Sequence, residues 1–190
     1  MIIKHINTPL IKNEVRKLQC GESVLLSGVI YTARDAAHKR LVEAINKGEP
    51  LPFDIENAIV YYVGPTPAKP GRVIGAAGPT TSGRMDAYAP LLISMGLAGM
   101  IGKGSRKPEV IEAMREHGAV YFSAIGGAGA LLAGCVEKSE LVAYEDLGAE
   151  AIRRLTVKEM PLIVTIDSKG NDLYIKGRAE YLRCRRNEKN

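Results

Sequence analysis

The chain has 190 residues, 46% of them hydrophobic and 25% charged, which suits one globular domain with a full core and excludes a disordered polymer. Its net charge is +5, but residues 176–190 carry +4 of it, so the body is almost neutral; with no Trp and only two Phe, these charges have no aromatic platform for nucleic acid beside them. Cys20, Cys135 and Cys184 are odd in number, far apart and without a Cys-x-x-Cys pair, which argues against a disulfide framework and against a self-contained zinc or cluster site. His5, His38 and His117 likewise have no metal-ligand spacing among themselves.

The first residues, MIIKH, lack the basic region, apolar block and cleavage site of a secretory signal. The apolar stretch 88–101 is broken by Pro90, Ser94 and glycines, too soon to cross a bilayer. A cytoplasmic protein is the expectation.

In chain order, the β-branched run 23–31 (SVLLSGVIY) predicts a buried strand, and Ala37, Leu41, Ala44 and Ile45 then predict a helix over 33–46 that Gly48 ends. Further strands are predicted at 58–63 and 72–76, followed by a helix over 84–95. A short strand at 99–102, a helix over 108–117 opened by Pro108, a strand at 119–125 and a short helix near 130–133 follow. The last third predicts a strand at 139–144, a helix at 149–155, and a hairpin of 162–167 with 172–175, before a basic C-terminal helix or tail. No linker or repeat divides the chain, so one α/β domain over 1–190 is expected.

Three strand ends offer chemistry. In 31–40 (YTARDAAHKR), Thr32 and Asp35 have capping-box spacing, which places a helix start, with its outward N–H groups, beside Arg34. An acidic residue is the usual preference there, so Arg34 marks either an anion site or a surface ion pair. In 75–86 (GAAGPTTSGRMD), the hydroxyls of Thr80, Thr81 and Ser82 lie among glycines that permit close approach of a small anion, and Arg84 can fork onto a carboxylate. In 101–104 (IGKG), Lys103 is a mobile point charge suited to a carboxylate or a proton relay. A phosphate-binding loop is excluded there, because Leu97 and Gly104 stand where Gly and Ser or Thr are required. Residues 126–129 fail the dinucleotide fingerprint, since Leu132 replaces its last glycine. These loops offer cations without a carboxylate pair, Cys-His pair or Ser-His-Asp order, so the site binds an anion and is chemically incomplete.

Four segments, 27–40 (SGVIYTARDAAHKR), 78–86 (GPTTSGRMD), 101–104 and 160–174 (MPLIVTIDSKGNDLY), occur in the order of, and together resemble, the β subunit of class I (iron–sulfur) fumarate hydratases and its relative in L(+)-tartrate dehydratase. They span about 150 of the 190 residues. The resemblance implies a swivelling β/β/α domain, a mixed sheet with flanking helices. It also implies a hydro-lyase whose α subunit carries a 4Fe-4S cluster on three cysteines, so that this chain alone is inactive. On the matching positions it implies Arg34 and Arg84 as carboxylate clamps, Thr81 as a further substrate contact, Lys103 as contact or relay, and Thr80 as the residue exchanging the carbon-bound proton. Arg153 departs from the family, which has an aromatic residue there, and is expected to affect packing only. A stand-alone dicarboxylate-binding module and a basic nucleic-acid protein are the readings of other classes.

Overall fold

The computed structural model describes residues 3–187, with side chains through Arg185. Seven strands alternate with six helices: β1 (Lys4–Asn7), α1 (Lys12–Val15), β2 (Ser23–Thr32), α2 (Asp35–Lys47), β3 (Ile59–Tyr61), α3 (Ala89–Ser94), β4 (Gly99–Gly102), α4 (Pro108–His117), β5 (Val120–Ser123), α5 (Gly129–Gly134), β6 (Val136–Ala143), β7 (Ile152–Ile166) and α6 (Leu173–Asn187). The sheet order is β1-β2-β3-β4-β5-β7-β6, and β7 also pairs with β2, so β2, β3, β4, β5 and β7 close into a five-stranded barrel. β1 to β5 run parallel, whereas β7 is antiparallel to β2, β5 and β6. The expected mixed sheet with flanking helices is therefore present, and closure adds the barrel.

The central strands β3, β4 and β5 are apolar on both faces because both faces are covered. Ile59, Tyr61, Ile101, Phe122, Leu155 and Val164 belong to one buried cluster. Their neighbours Val60, Tyr62, Met100 and Tyr121 join the other, with Ala37 and Leu41 of α2, Leu92 and Ile93 of α3, and Val110 and Met114 of α4. Each aliphatic side chain so buried stabilises the fold by roughly 1.5–3 kcal/mol. The predicted ends of α2 and α4 are real: Gly48 (φ 70) and Gly118 (φ 79) sit in the left-handed region as C-caps, and Pro108 lies in the first turn of α4.

Five expectations need correction. Residues 72–76 form no strand: among the described residues no strand pairs with them, and the loop closes on itself through Ala76 N donating to Thr66 Oγ1 (2.8 Å) and Thr66 N to Ala76 O (3.1 Å). The helix over 84–95 is split into a 3₁₀ turn at Ser82–Met85 and α3, because Pro90 fits only a first turn. The helix over 149–155 is a 3₁₀ segment ending at Glu150, kinked at Gly148 (φ 58), and then strand β7, which pairing with β2 and β6 on its two edges imposes. The second arm of the hairpin is the start of α6: Tyr174 N donates to Asp172 Oδ1 (2.8 Å), and only the bridge between Ile166 and Asp172 remains of the pairing. Finally, β1 and α1 lie in a segment whose short elements were not expected; β1 is held by parallel pairing to β2.

Candidate functional site

The C-terminal ends of β2, β3 and β4 lie side by side, and the chain's own hydrogen bonds bring three predicted site residues together there. Thr80 N donates to Tyr62 O (2.8 Å), Lys103 N to Thr80 O (3.3 Å) and Ser82 N to Lys103 O (2.9 Å), so residues 80–82 run beside residue 103 as an extra step of parallel sheet. Thr80, Thr81 and Lys103 thus share one edge, and Arg84 follows in the next 3₁₀ turn. Thr81, Arg84 and Lys103 are exposed and Thr80 is half-buried. Among the described residues neither Arg84 nor Lys103 forms an ion pair. The tight approach depends on Gly102, where a Cβ would overlap Ser82 Oγ.

Arg34 reaches the same edge from β2, since Ala33 N donates to Tyr61 O (3.1 Å). Its guanidinium lies beside Gly64, just past β3, where a Cβ would stand 3.0 Å from Nη1. Unlike Arg84, it is already paired: Nη2 is 3.1 Å from Glu150 Oε1 and 3.5 Å from Asp35 Oδ1. Of the two readings of Arg34, the ion pair is the one these contacts show. The capping box is not formed. Thr32 Oγ1 instead donates to Ala151 O (3.2 Å) and accepts from Arg153 N (2.9 Å), which ties β2 to the start of β7, while Arg34 takes the N-cap position of α2.

Beneath this edge runs a buried polar layer. Asp86 and Arg106 are ion-paired at 2.6 Å with side chains 2% and 0% exposed, and the second Asp86 oxygen accepts Lys107 N (2.9 Å). This pair clamps the loop bearing Thr80 and Arg84 to the loop bearing Lys103. The Arg106 guanidinium also lies over the rings of Tyr62 (5.3 Å) and Tyr121 (5.0 Å). Tyr121 Oη is 2.9 Å from Ser82 Oγ and donates to Gly104 O (3.0 Å); burial pushes its pKa up, so it stays a protonated donor. Gly104 N in turn donates to Tyr174 Oη of α6 (3.1 Å).

His38 belongs to the same layer, 5.2 Å edge-on from Tyr62, with Nδ1 2.8 Å from Arg34 O. That contact requires Nδ1–H to donate and leaves Nε2 as a buried atom without a partner. Burial pulls the pKa of His38 down to about 4 from the ordinary 6.5. The unfolded chain therefore binds a proton more readily than the folded one between pH 6.5 and 4, and the stability due to neutral His38 is lost as pH falls through that window. The expected result is a loss of about 3 kcal/mol from this group between pH 7 and 4. His38→Phe should flatten this part of a urea-midpoint profile against pH; an unchanged slope would count against it.

None of Asp86, Arg106, Tyr121, His38 or Glu150 was singled out from the sequence. Asp86 and His38 carried a signal only as members of the 78–86 and 27–40 segments; the others announce themselves only through burial and partners. Two surface grooves, of about 490 and 340 Å³, flank loop 65–76, lined by Thr66, Arg72 and Ala130 in one and by Thr66, Ser139 and Arg153 in the other. Arg34, Thr80, Arg84 and Lys103 line neither.

The described residues do not fit an iron–sulfur cluster. No three His, Cys, Asp or Glu side chains among them come together as a ligand set. Cys20 and Cys135 each lie against a backbone carbonyl, of Thr165 and Leu131, and burial first of all raises both thiol pKa values; Cys184 sits on exposed α6. No helix among the described residues is long and apolar enough to cross a membrane.

Comparison with known proteins adds the lineage of this arrangement. The fumarase C-terminus family matches residues 3–177, which include every strand and every cation of the edge. The chain belongs to that family. It is 36% identical to fumarate hydratase 2 of Leishmania major over 87% of the chain and 30% of that protein. It is 42% identical to the anaerobic class I fumarate hydratase of Escherichia coli over 78% of the chain and 28% of that enzyme. A Methanocaldococcus jannaschii protein, provisionally named L(+)-tartrate dehydratase subunit beta, is 40% identical over 87% of the chain and 88% of its own length. The chain thus spans about 30% of the length of the fumarate hydratases it matches but nearly all of that subunit.

Proposed function

We propose that this fumarase C-terminal chain is the β subunit of a class I fumarate hydratase, a hydro-lyase that adds water reversibly to fumarate to give malate. In this reading the barrel and its outer helices form a swivelling β/β/α domain, and a partner α subunit holds the 4Fe-4S cluster that this chain's cysteines do not fit. The observation that carries the reading is the edge itself: Thr80, Thr81 and Lys103 are joined by backbone hydrogen bonds, with Arg84 alongside and both of its free cations unpaired among the described residues.

Loss of a proton next to a carboxylate builds negative charge on that carboxylate, and fixed cations stabilise it. Arg84 forks onto one carboxylate, Arg34 contributes charge from the end of β2, and Thr81 adds a hydroxyl contact. Thr80 and Lys103 take the proton-transfer side. An ordinary hydroxyl is too weak a base at neutral pH, so Thr80 takes up the carbon-bound proton only while giving its own O–H proton to a stronger base on the α subunit, and Lys103, a cation beside its loop, steadies the negative charge that develops. The site needs a second wall, which we assign to the α subunit; that the matched fumarate hydratases are about three times as long as the matched segment supports this.

The near full-length match to the tartrate dehydratase subunit favours a second reading with the same residues and a substrate bearing one more hydroxyl. Co-expression with a cluster-bearing α subunit, anaerobic purification and separate assays on fumarate, malate and L(+)-tartrate test both. Activity that requires both chains, on either the fumarate–malate pair or L(+)-tartrate, is the expected result and names the reaction. A complex inert towards all three, with micromolar fumarate binding to this chain alone by calorimetry, would replace the enzyme reading with a stand-alone dicarboxylate-binding module.

A further inference from the structure

We infer that Glu150 is a positioning residue for the active site: it fixes Arg34 at the end of β2 so that the guanidinium meets the substrate carboxylate in one orientation. The inference rests on the functional reading above and concerns a residue outside the four motifs. Glu150 ends the 3₁₀ segment Glu145–Glu150, and its two oxygens are divided between two tasks. Oε1 is 3.1 Å from Arg34 Nη2, and Oε2 accepts the N–H of Ala36 (3.3 Å), one of the free donors in the first turn of α2. One carboxylate from a distant part of the chain therefore caps the helix and holds the arginine that precedes it.

The surroundings leave Arg34 few alternatives. Its Nε is buried without a partner, and its Nη1 flank lies against Gly64, whose hypothetical Cβ would also come within 3.2 Å of Ala149 O. His38 Nδ1 holds the Arg34 carbonyl from below. Asp35, the residue that the sequence pattern pairs with Thr32, sits at 3.5 Å from Nη2, a longer and more exposed contact than Glu150 makes. The side chains of Arg34 and Glu150 are 21% and 23% exposed, so the pair is shielded yet open on one side. A guanidinium held through Nη2 keeps a defined direction for its remaining N–H groups; released, it would sweep through many rotamers, and ordering it would fall to the substrate.

The test uses the complex with the α subunit. Glu150→Gln keeps size and an acceptor for Ala36 N but removes the charge, and is expected to raise KM about tenfold with kcat changed by less than threefold. In an Arg34→Met background the same change should add less than twofold, because Glu150 acts through Arg34. Phenylglyoxal labelling read by mass spectrometry gives a measure independent of turnover: Arg34 should label about tenfold faster in Glu150→Gln, with Arg84 unchanged. An unchanged or lowered KM in an active complex, additive effects in the Arg34→Met background, or unchanged Arg34 labelling would each overturn the inference. A wild-type complex inert on every dicarboxylate sinks the functional reading instead, and the labelling result then stands as a structural contact only.

Discussion

Replacing Arg106 with methionine is expected to cost about 3–5 kcal/mol of folding stability, read as a lowered urea midpoint. Methionine fills much of the space of the arginine stem, so packing is not the main loss. The cost comes from Asp86, left as a buried carboxylate whose 2.6 Å partner is gone and whose one remaining contact outside its own turn is the Lys107 N–H. The double change Arg106→Met with Asp86→Leu should recover most of the loss, since replacing both members of a buried pair by apolar groups is close to neutral. A single variant as stable as the parent would show that water reaches Asp86. The pair also joins residues 82–86 to residues 106–107, so the recovered double variant is expected to fold and still be impaired in catalysis.

Arg84 should behave in the opposite way. It is exposed and forms no ion pair among the described residues, so Arg84→Met is expected to leave stability within about 0.5 kcal/mol of the parent. On the proposed function, the same change in the assembled enzyme would remove a forked, charge-assisted contact worth about 3–4 kcal/mol, and is expected to lower kcat/KM some hundred- to thousandfold. Arg84→Lys keeps the charge and loses the fork, so it should fall between, nearer a tenfold loss. Steady-state kinetics on the three proteins decides this; equal kcat/KM in all would remove Arg84 from the site. Two arginines 22 residues apart thus separate cleanly into one that holds the loops and one that the loops present.

Most of the elements around the site were legible because each is specified locally. β2 and β3 follow from apolar, β-branched runs, α2 from helical spacing closed by Gly48, and α4 from Pro108 at its start. The errors fall where a distant partner outweighs local preference. The segment from residue 152 has mixed spacing that allows either helix or strand, and it becomes β7 because β2 and β6 offer ladders on both its edges. Thr32 and Asp35 have the spacing of a cap, but Thr32 is drawn into the junction with β7 and Glu150 caps α2 from 114 residues away along the chain.

The sequence by itself placed Arg34 between a strand and a helix, Thr80, Thr81 and Arg84 on a glycine-containing loop, and Lys103 between two glycines at a strand end, because residue type and loop chemistry are local properties. It also argued against a self-contained zinc or cluster site, since three scattered cysteines have no ligand spacing. Only the tertiary structure decided which of those cations are free. Arg34 is tied to Glu150, while Arg84 and Lys103 are unpaired among the described residues, over a layer of Asp86, Arg106, Tyr121 and His38. An ion pair or buried hydrogen bond depends on where barrel closure brings β7 and the segment preceding it against the other strand ends, and that meeting has no period or motif in the chain.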